Sequence, residues 1–155
     1  MDLGGLLPRS AVSARVSVNN KRGALGVAAE VAARLVAVPA PSVLAALLER
    51  EAAGSTGVGE GVALPHARIA GLQQLQLLFL RLDAPVPFEA VDDQPVDLIG
   101  VLLIPAAIEG SEPLRVLARM ARLLREPRLR EQIRKAQSAD AIHALLVHQA
   151  QPSAA

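Results

Sequence analysis

Residues 96–104 constrain the fold more than any other part of this chain. They are rich in leucine and β-branched residues, and the uncharged run that begins at Leu98 continues to Ile108 with Pro105 inside it. Such a run is too short to span a bilayer and is typical of a strand covered on both faces. A strand of that kind needs helices on either side of its sheet, which is the layered α/β arrangement.

The other predicted elements agree with such a sheet. Residues 14–18 alternate as in a short first strand, and two helices follow, the second over about 42–53. Residues 62–64 predict an edge or terminal strand that ends at Pro65-His66, residues 73–82 predict a further strand, and 83–87 a turn. The last third reads as helices. We therefore predict one α/β domain over 1–150, a mixed β-sheet flanked by helices, with 151–155 as a disordered tail.

Three polar residues are placed to cap predicted helices, namely Asn20, Ser111 and Ser138. The helix that follows Ser111 has an apolar stripe, which predicts a core face made of Leu114, Leu117, Ala118, Ala121 and Leu124. A second stripe on that helix is basic and consists of Arg115, Arg119 and Arg122. A basic stripe is usually solvated surface, and docking of an acidic partner is the less frequent alternative.

Composition excludes several classes of function. A formal net charge of +1 and only two aromatic residues, both Phe, give no reason to expect nucleic acid or an anionic membrane as partner. The absence of cysteine excludes thiolate catalysis and Cys-based metal sites. The first residues carry an early acid and no basic region before an apolar run, so we expect no signal peptide and a cytoplasmic protein.

The segment from Gly54 to Arg68 carries the candidate chemistry. A glycine-rich turn runs into a short apolar strand, and a single histidine, His66, follows Pro65. The glycines are not a nucleotide-binding loop, since no Gly-Lys-Ser/Thr follows, Val62 stands where a third glycine would be needed, and the loop precedes a strand. A histidine in this position is most often structural. Its constrained context favours a nucleophile instead, and neutral imidazole is a good phosphoryl acceptor.

Two arginines flank this segment. Arg68 lies two residues after His66, and its guanidinium group could hold a phosphoryl group. Arg50 lies on the apolar side of its helix, where a guanidinium group needs an anion or carbonyl groups nearby. Spacing alone favours a local ion pair between Arg50 and Glu49 or Glu51 over a role in the site.

Metal binding is poorly supported. The two other histidines, His143 and His148, are five residues apart on a predicted helix and do not share a face. We expect both to be exposed and incidental.

The run from Leu48 to Arg68, with its Gly-Ser-Thr-Gly and Pro-His motifs, resembles the signature of the enzyme IIA domains of the fructose–mannitol class of the phosphoenolpyruvate-dependent phosphotransferase system. Within that class the chain is most similar to the stand-alone, nitrogen-regulatory type. Supporting stretches are 20–25, 88–98 and 134–138, and the resemblance covers about residues 3–148.

The resemblance implies a mixed sheet flanked by helices and a cytoplasmic transferase that works through phosphohistidine. It implies that His66 is the phosphoryl acceptor, that Arg50 contacts the phosphoryl group, and that Ser55 and Thr56 shape the site. The donor would be an HPr-like phosphocarrier protein, itself charged by an enzyme I-type protein, and no cofactor or metal is required. Phosphorylation would regulate partner proteins.

One departure from the family pattern concerns a second histidine, which members commonly carry just before the helix that begins near Leu114. Here Pro113 stands in its place, so assistance to transfer from that position is lost or moved, for example to Glu112. Two alternatives stay open: an enzyme IIA subunit that passes phosphate to a sugar permease in sugar transport, and a regulatory binding module that has lost transfer.

Overall fold

The apolar run is the central strand of a six-stranded sheet. The computed structural model describes residues 3–150. The strands are β1 Val12–Val16, β2 Gly57–Gly59, β3 Val62–Ala63, β4 His66–Ile69, β5 Gln76–Val86 and β6 Val96–Pro105. The helices are α1 Leu3–Leu6, α2 Lys21–Leu35, α3 Ala40–Ala52, α4 Glu112–Arg125, α5 Pro127–Lys135 and α6 Ala139–Ala150, with a 3₁₀ turn at Arg9–Ala11.

The sheet is mixed, as predicted. Its order is β1-β5-β6-β3-β2, and β4 also pairs with β6. Strand β5 runs antiparallel to β6, whereas β1 is parallel to β5, and β3 and β4 are parallel to β6. Every residue of β6 is buried except Asp97, which is half-buried. The prediction of a central strand covered on both faces is therefore confirmed.

The strand before Pro65 ends there as predicted, since β3 covers only Val62–Ala63, but the prediction that it lies at an edge of the sheet is wrong. Strand β3 lies between β2 and β6, and His66 begins a second strand, β4, beside the same neighbour. Two residues interrupt the pairing, because Pro65 has no N–H to donate. The carbonyl oxygen of Pro65 still accepts from Leu102 N at 3.0 Å, so the chain stays alongside β6.

The predicted turn at 83–87 is also wrong, since β5 continues to Val86. Pairing of β1 with β5 ends at Leu82, so the outer edge of β5 is open where Pro85 lies. A proline on an open edge breaks no ladder hydrogen bond, and the pairing of β5 with β6 shifts between Arg81 and Val86.

The helices flank the sheet in two groups. Helices α2 and α3 pack on each other and on β5 and β4, whereas α4, α5 and α6 pack together and contact β6 and β1. Asn20 caps α2 by accepting from Gly23 N, and Ser138 caps α6 by accepting from Ala141 N. Ser111 precedes α4 as predicted, but its hydroxyl accepts from Arg115 rather than from the helix backbone. Within residues 3–150, none of the helices has the length and apolarity to cross a bilayer.

The domain limits at 1–150 stay a prediction, and the predicted tail 151–155 lies outside the described residues.

A short hairpin joins β2 to β3 and leads the chain towards His66. Its turn has positive φ at Gly59, Glu60 and Gly61, at 101°, 59° and 78°. Other segments hold the tip: Glu60 N donates to Asp92 at 2.9 Å, and Glu60 O accepts from Arg134 at 3.0 Å. Arg134 also pairs with Asp97 on β6. The hairpin is thus fixed to the sheet and to α5.

Candidate functional site

The His66 side chain is half-buried at the start of β4 and is held by its own backbone. Its Nδ1 atom lies 2.9 Å from the carbonyl oxygen of Leu64. A carbonyl can only accept a hydrogen bond, so Nδ1 carries the proton and Nε2 carries the lone pair. The nitrogen that can act as a nucleophile is therefore Nε2.

Arg50 reaches that nitrogen from the end of α3. Its Nε donates to His66 Nε2 at 3.3 Å, and its Nη1 donates to Gly54 O at 2.8 Å. The local pair with Glu49 or Glu51 that spacing favoured is not formed. Among residues 3–150 the Nη2 group of Arg50 has no acceptor, which leaves N–H donors beside the imidazole for an anion.

Ser55 and Thr56 lie between Arg50 and the hairpin, and both hydroxyls are used inside the protein. Ser55 Oγ donates to Phe88 O and accepts from Gly57 N at 3.0 Å. Thr56 donates to the Glu51 carboxylate from its backbone N at 3.0 Å and from Oγ1 at 2.5 Å. These bonds set the path of the loop beside His66.

Arg68 lies on the same side of β4 as His66, since side chains two residues apart on a strand share a face. Its Nη1 donates to the carbonyl of Ile108 at 2.9 Å and lies at 3.4 Å from Ala106 O and 3.5 Å from Pro105 O. The guanidinium group therefore holds the loop that leaves β6, and it also lines the cleft next to the imidazole.

The cleft has a volume of about 640 Å³. It is lined by the end of α3, the start of β4 and the start of α4: Ala46, Glu49, Arg50, Ala53, His66, Ala67, Arg68, Ile104, Gly110, Pro113, Leu114 and Leu117. The structure thus brings His66, Arg50 and Arg68 to one opening. Pro113, which the resemblance predicts to stand in place of a second histidine, lies in the wall of that opening.

The predicted core face of α4 is wrong in part. The residues that pack inward are Pro113, Val116, Met120 and Leu124. Leu114 is 69% exposed, and Ala118 is also exposed. Helix α4 carries apolar residues on two adjacent faces; one packs on the sheet, and the other borders the site through Leu117, Ala118 and Ala121.

Sequence reasoning missed the role of Glu51 inside the protein. Its side chain is only 4% exposed, and it pairs with Lys21 Nζ at 3.1 Å. Burial lowers the pKa of Lys21, but hydrogen bonds and charge from Glu89 and Glu51 outweigh burial and raise it. Glu51 lies four and eight residues after Leu47 and Val43, so the apolar stripe of α3 already placed it inward.

His143 is not exposed as predicted. It is half-buried on α6, and its Nε2 lies 2.8 Å from Leu7 O, so it ties the start of the chain to the last helix. His148 is exposed, as predicted.

The fold and the histidine–arginine cleft define a class of phosphotransferase components. The family described as phosphoenolpyruvate-dependent sugar phosphotransferase system, EIIA 2, matches residues 6–149. The chain belongs to this family, which confirms the resemblance seen in the sequence.

The similar proteins are regulatory and sugar-specific members. A nitrogen regulatory protein of Bradyrhizobium diazoefficiens is 40% identical over 94% of this chain and 95% of its own. The crystal structure of nitrogen regulatory protein IIA-Ntr from Neisseria meningitidis has a TM-score of 0.87 and 35% identity, covering 93% of this chain and 98% of that one. A fructose-specific EIIA component of Haloferax volcanii is 35% identical over 68% of each chain.

Proposed function

We propose that the protein is a phosphocarrier that accepts a phosphoryl group on Nε2 of His66 and regulates partner proteins by its phosphorylation state. One observation supports this above others. The Nδ1 proton is held by Leu64 O while Nε2 faces the Arg50 guanidinium group in an open cleft. An imidazole fixed in this tautomer presents its lone pair to an incoming phosphorus atom.

The proposed donor is a phosphohistidine on an HPr-like carrier, charged by an enzyme I-type protein from phosphoenolpyruvate. The Nε2 lone pair of His66 forms the new N–P bond as the N–P bond to the carrier breaks. The electron pair of the broken bond stays on the carrier's ring nitrogen, and His66 keeps its Nδ1 proton. Because phosphoenolpyruvate is made inside cells, this proposal places the protein in the cytoplasm.

Arg50 would neutralise charge on the phosphoryl oxygens during transfer. Its Nε leaves the imidazole lone pair when the N–P bond forms, and the planar group can then present two N–H bonds to phosphate oxygens. Arg68 lies in the same cleft and adds positive charge. Pro113 supplies no proton and no N–H, so we assign charge stabilisation to the arginines and not to that position.

The surface around the cleft suits a protein donor. The large hydrophobic side chains that are most exposed within residues 3–150 are Val58, Val91 and Leu114. Val58 and Leu114 border His66, and Val91 lies beside Gly59. Exposed apolar groups next to a reactive residue are typical of a docking surface.

The experiment is incubation with phosphoenolpyruvate, enzyme I and the carrier, followed by intact mass. We expect an acid-labile adduct of one phosphoryl group on the wild type and on His148→Ala, and none on His66→Ala. Absence of the adduct from the wild type, or an undiminished adduct on His66→Ala, would refute the proposal.

A second candidate is an enzyme IIA subunit that passes phosphate to a sugar permease, which the similarity to the fructose-specific component favours. It shares the chemistry of His66 and differs in the acceptor. Sugar uptake that continues after deletion of this chain would exclude it.

A module that only binds its partners is supported by Pro113 alone. It predicts partner binding that neither His66→Ala nor phosphoenolpyruvate changes.

A further inference from the structure

The carboxylate of Glu51 is an acid buried next to the site, and the proposed transfer chemistry does not use it. We propose that Glu51 and Thr56 are positioning residues that hold His66 in its reactive tautomer. The consequence for transfer rests on the proposed function, whereas the consequence for the imidazole does not.

A continuous series of hydrogen bonds leads from Glu51 to the imidazole. The carboxylate accepts from the backbone N of Thr56 at 3.0 Å and from its Oγ1 at 2.5 Å. The carbonyl oxygen of Thr56 accepts from Leu64 N at 2.9 Å. The carbonyl oxygen of Leu64 in turn lies 2.9 Å from His66 Nδ1. The Glu51 carboxylate therefore sets the position of the backbone segment whose carbonyl oxygen accepts the hydrogen bond from Nδ1–H.

The end of α3 thus controls both nitrogens of the ring. Arg50 donates directly to Nε2, and its neighbour Glu51 acts on Nδ1 through Thr56 and Leu64. Successive helical side chains are about 100° apart, so Arg50 faces the cleft while Glu51 faces inward. A shift of this helix end relative to the strand would disturb both contacts together.

Lys21 makes the buried carboxylate possible. A buried charge without a partner is costly, and Lys21 Nζ lies 3.1 Å from Glu51. Lys21 also pairs with Glu89 and lies 5.1 Å from the centre of the Phe88 ring. The Phe88 carbonyl in turn accepts from Ser55. The loop before the hairpin is therefore held by Phe88 through Ser55 and by Glu51 through Thr56.

The tautomer is the property under control. A free histidine side chain in water prefers the form with its proton on Nε2, and in that form Nε2 has no lone pair for attack. Leu64 O stabilises the opposite form. Loosening the hydrogen bonds of Thr56 and Leu64 should raise the fraction of His66 in the Nε2–H tautomer. It should do so without removing any group that touches the phosphoryl group.

The test compares Thr56→Val, which removes the hydroxyl and keeps the shape, with Thr56→Ser, which keeps the hydroxyl. Nitrogen-15 NMR of the His66 ring in the unphosphorylated proteins reports the tautomer, and the carrier-dependent reaction reports transfer. We expect Thr56→Val to lower the Nδ1–H population and to reduce the maximal transfer rate about 10- to 100-fold, with little change in the carrier concentration for half-maximal rate. Thr56→Ser should restore both.

Ser138→Ala is the control, since it removes a hydroxyl that accepts from Ala141 N at the cap of α6 and that does not line the cleft. It should leave the His66 ring signals and the transfer rate unchanged.

A folded Thr56→Val with the wild-type tautomer would overturn the proposal, and so would wild-type rates in that variant. If Thr56→Val does not fold, the ring signals of the wild type are the test, because a His66 that is mainly in the Nε2–H form in the wild type also overturns the proposal. A wild type that forms no adduct refutes the proposed function, and the ring signals of the variants then still test the positioning by Glu51 and Thr56.

Discussion

At the scale of single residues, the site depends on the hydrogen bonds that the two ring nitrogens of His66 make. Leu64 O accepts a hydrogen bond from Nδ1–H, and Arg50 Nε donates to Nε2, the atom that the proposed phosphoryl group would occupy. Arg50 is therefore already in contact with the atom that we propose as the phosphoryl acceptor. Its planar shape matters as much as its charge, because phosphate oxygens are held by parallel N–H bonds.

We expect Arg50→Lys to keep the positive charge and to lose the paired donors. The adduct on His66 should form about 10- to 100-fold more slowly or decay faster, as a lost transition-state donor typically causes. Timed intact mass after addition of the charged carrier measures both rates.

Arg34→Lys, at an exposed position in the last turn of α2, is the control and should match the wild type. A wild-type rate and adduct lifetime in Arg50→Lys would show that Arg50 has only a structural part.

Part of the site could be predicted from residues alone. The position of His66 after Pro65 and the neighbouring arginines marked the segment, but spacing favoured a local ion pair for Arg50. The sequence could not decide between a local ion pair and a contact with His66, because the direction of a long side chain at a helix end depends on the strand packed against it. The spacing predicts Glu49 or Glu51 as the partner of Arg50, and the fold places Glu51 inward with Lys21 instead.

At the scale of elements, the hairpin between β2 and β3 is fixed by charged groups outside it. The carboxylate of Asp92 accepts from the backbone N–H of Glu60 and of Gln94, and these bonds lower the pKa of Asp92 below its usual 3.8. Arg134 holds the other side of the turn through Glu60 O.

The lowered pKa of Asp92 gives a prediction on pH. Since the folded pKa is below the unfolded one, the stabilising contribution is present above about pH 4 and is lost as pH falls through the folded pKa. Carbon-13 NMR titration of the Asp92 carboxyl should give a midpoint below 3.8. The difference in unfolding free energy between wild type and Asp92→Asn should shrink as the pH is lowered from 7 to 3. A difference that stays constant over this range would contradict the assignment.

Gly61 is the second test of the hairpin. Its φ is 78°, and an added Cβ would lie 2.4 Å from Arg134 Nη2 and 3.0 Å from Asp97 Oδ1. We expect Gly61→Ala to lower the unfolding free energy by about 1–3 kcal/mol, measured by urea denaturation.

Gly26→Ala is the matched substitution within α2, where nothing lies within 4 Å of the added Cβ. It should raise the unfolding free energy by about 0.5–1 kcal/mol, because the helix loses a flexible residue. Equal effects of the two substitutions would argue against strain at Gly61.

The elements themselves were largely predictable. The central strand and the capping residues Asn20 and Ser138 follow from local chemistry, and the structure confirms them. Tertiary packing decided the rest. The inward face of α4 could not be read from periodicity, because the helix is apolar on two adjacent faces and only the packed sheet selects between them.

At the scale of the whole molecule, the second apolar face of α4 belongs to the docking surface that we propose for a protein donor. Leu114 is exposed beside the cleft, and Val58 borders His66 from the hairpin side. These side chains do not support the fold by burial, so their contribution should appear only when a protein partner docks.

We expect Leu114→Asp to reduce carrier-dependent phosphorylation of His66 by about tenfold or more, since an apolar contact is replaced by a charge. Phosphorylation by a small donor such as phosphoramidate should stay at the wild-type rate, because it needs only the imidazole and Arg50. Both rates are measured by intact mass.

Ala144→Asp, at an exposed position on α6, should change neither rate. Equal losses with the carrier and with phosphoramidate would place Leu114 in the chemistry and not in docking.

The interruption between β3 and β4, which both pair with β6, constrains the number of residues between Val62 and His66. Val62 pairs with Leu98 and His66 with Leu102, so the two short strands keep one register across the interruption. Inserting or deleting one residue between them would exchange the faces of β4, sending His66 and Arg68 into the core and the buried Ala67 and Ile69 to the side that His66 now occupies. Changes of side chain at Leu64 would leave that register intact. Evolution could therefore vary the composition of this stretch far more readily than its residue count.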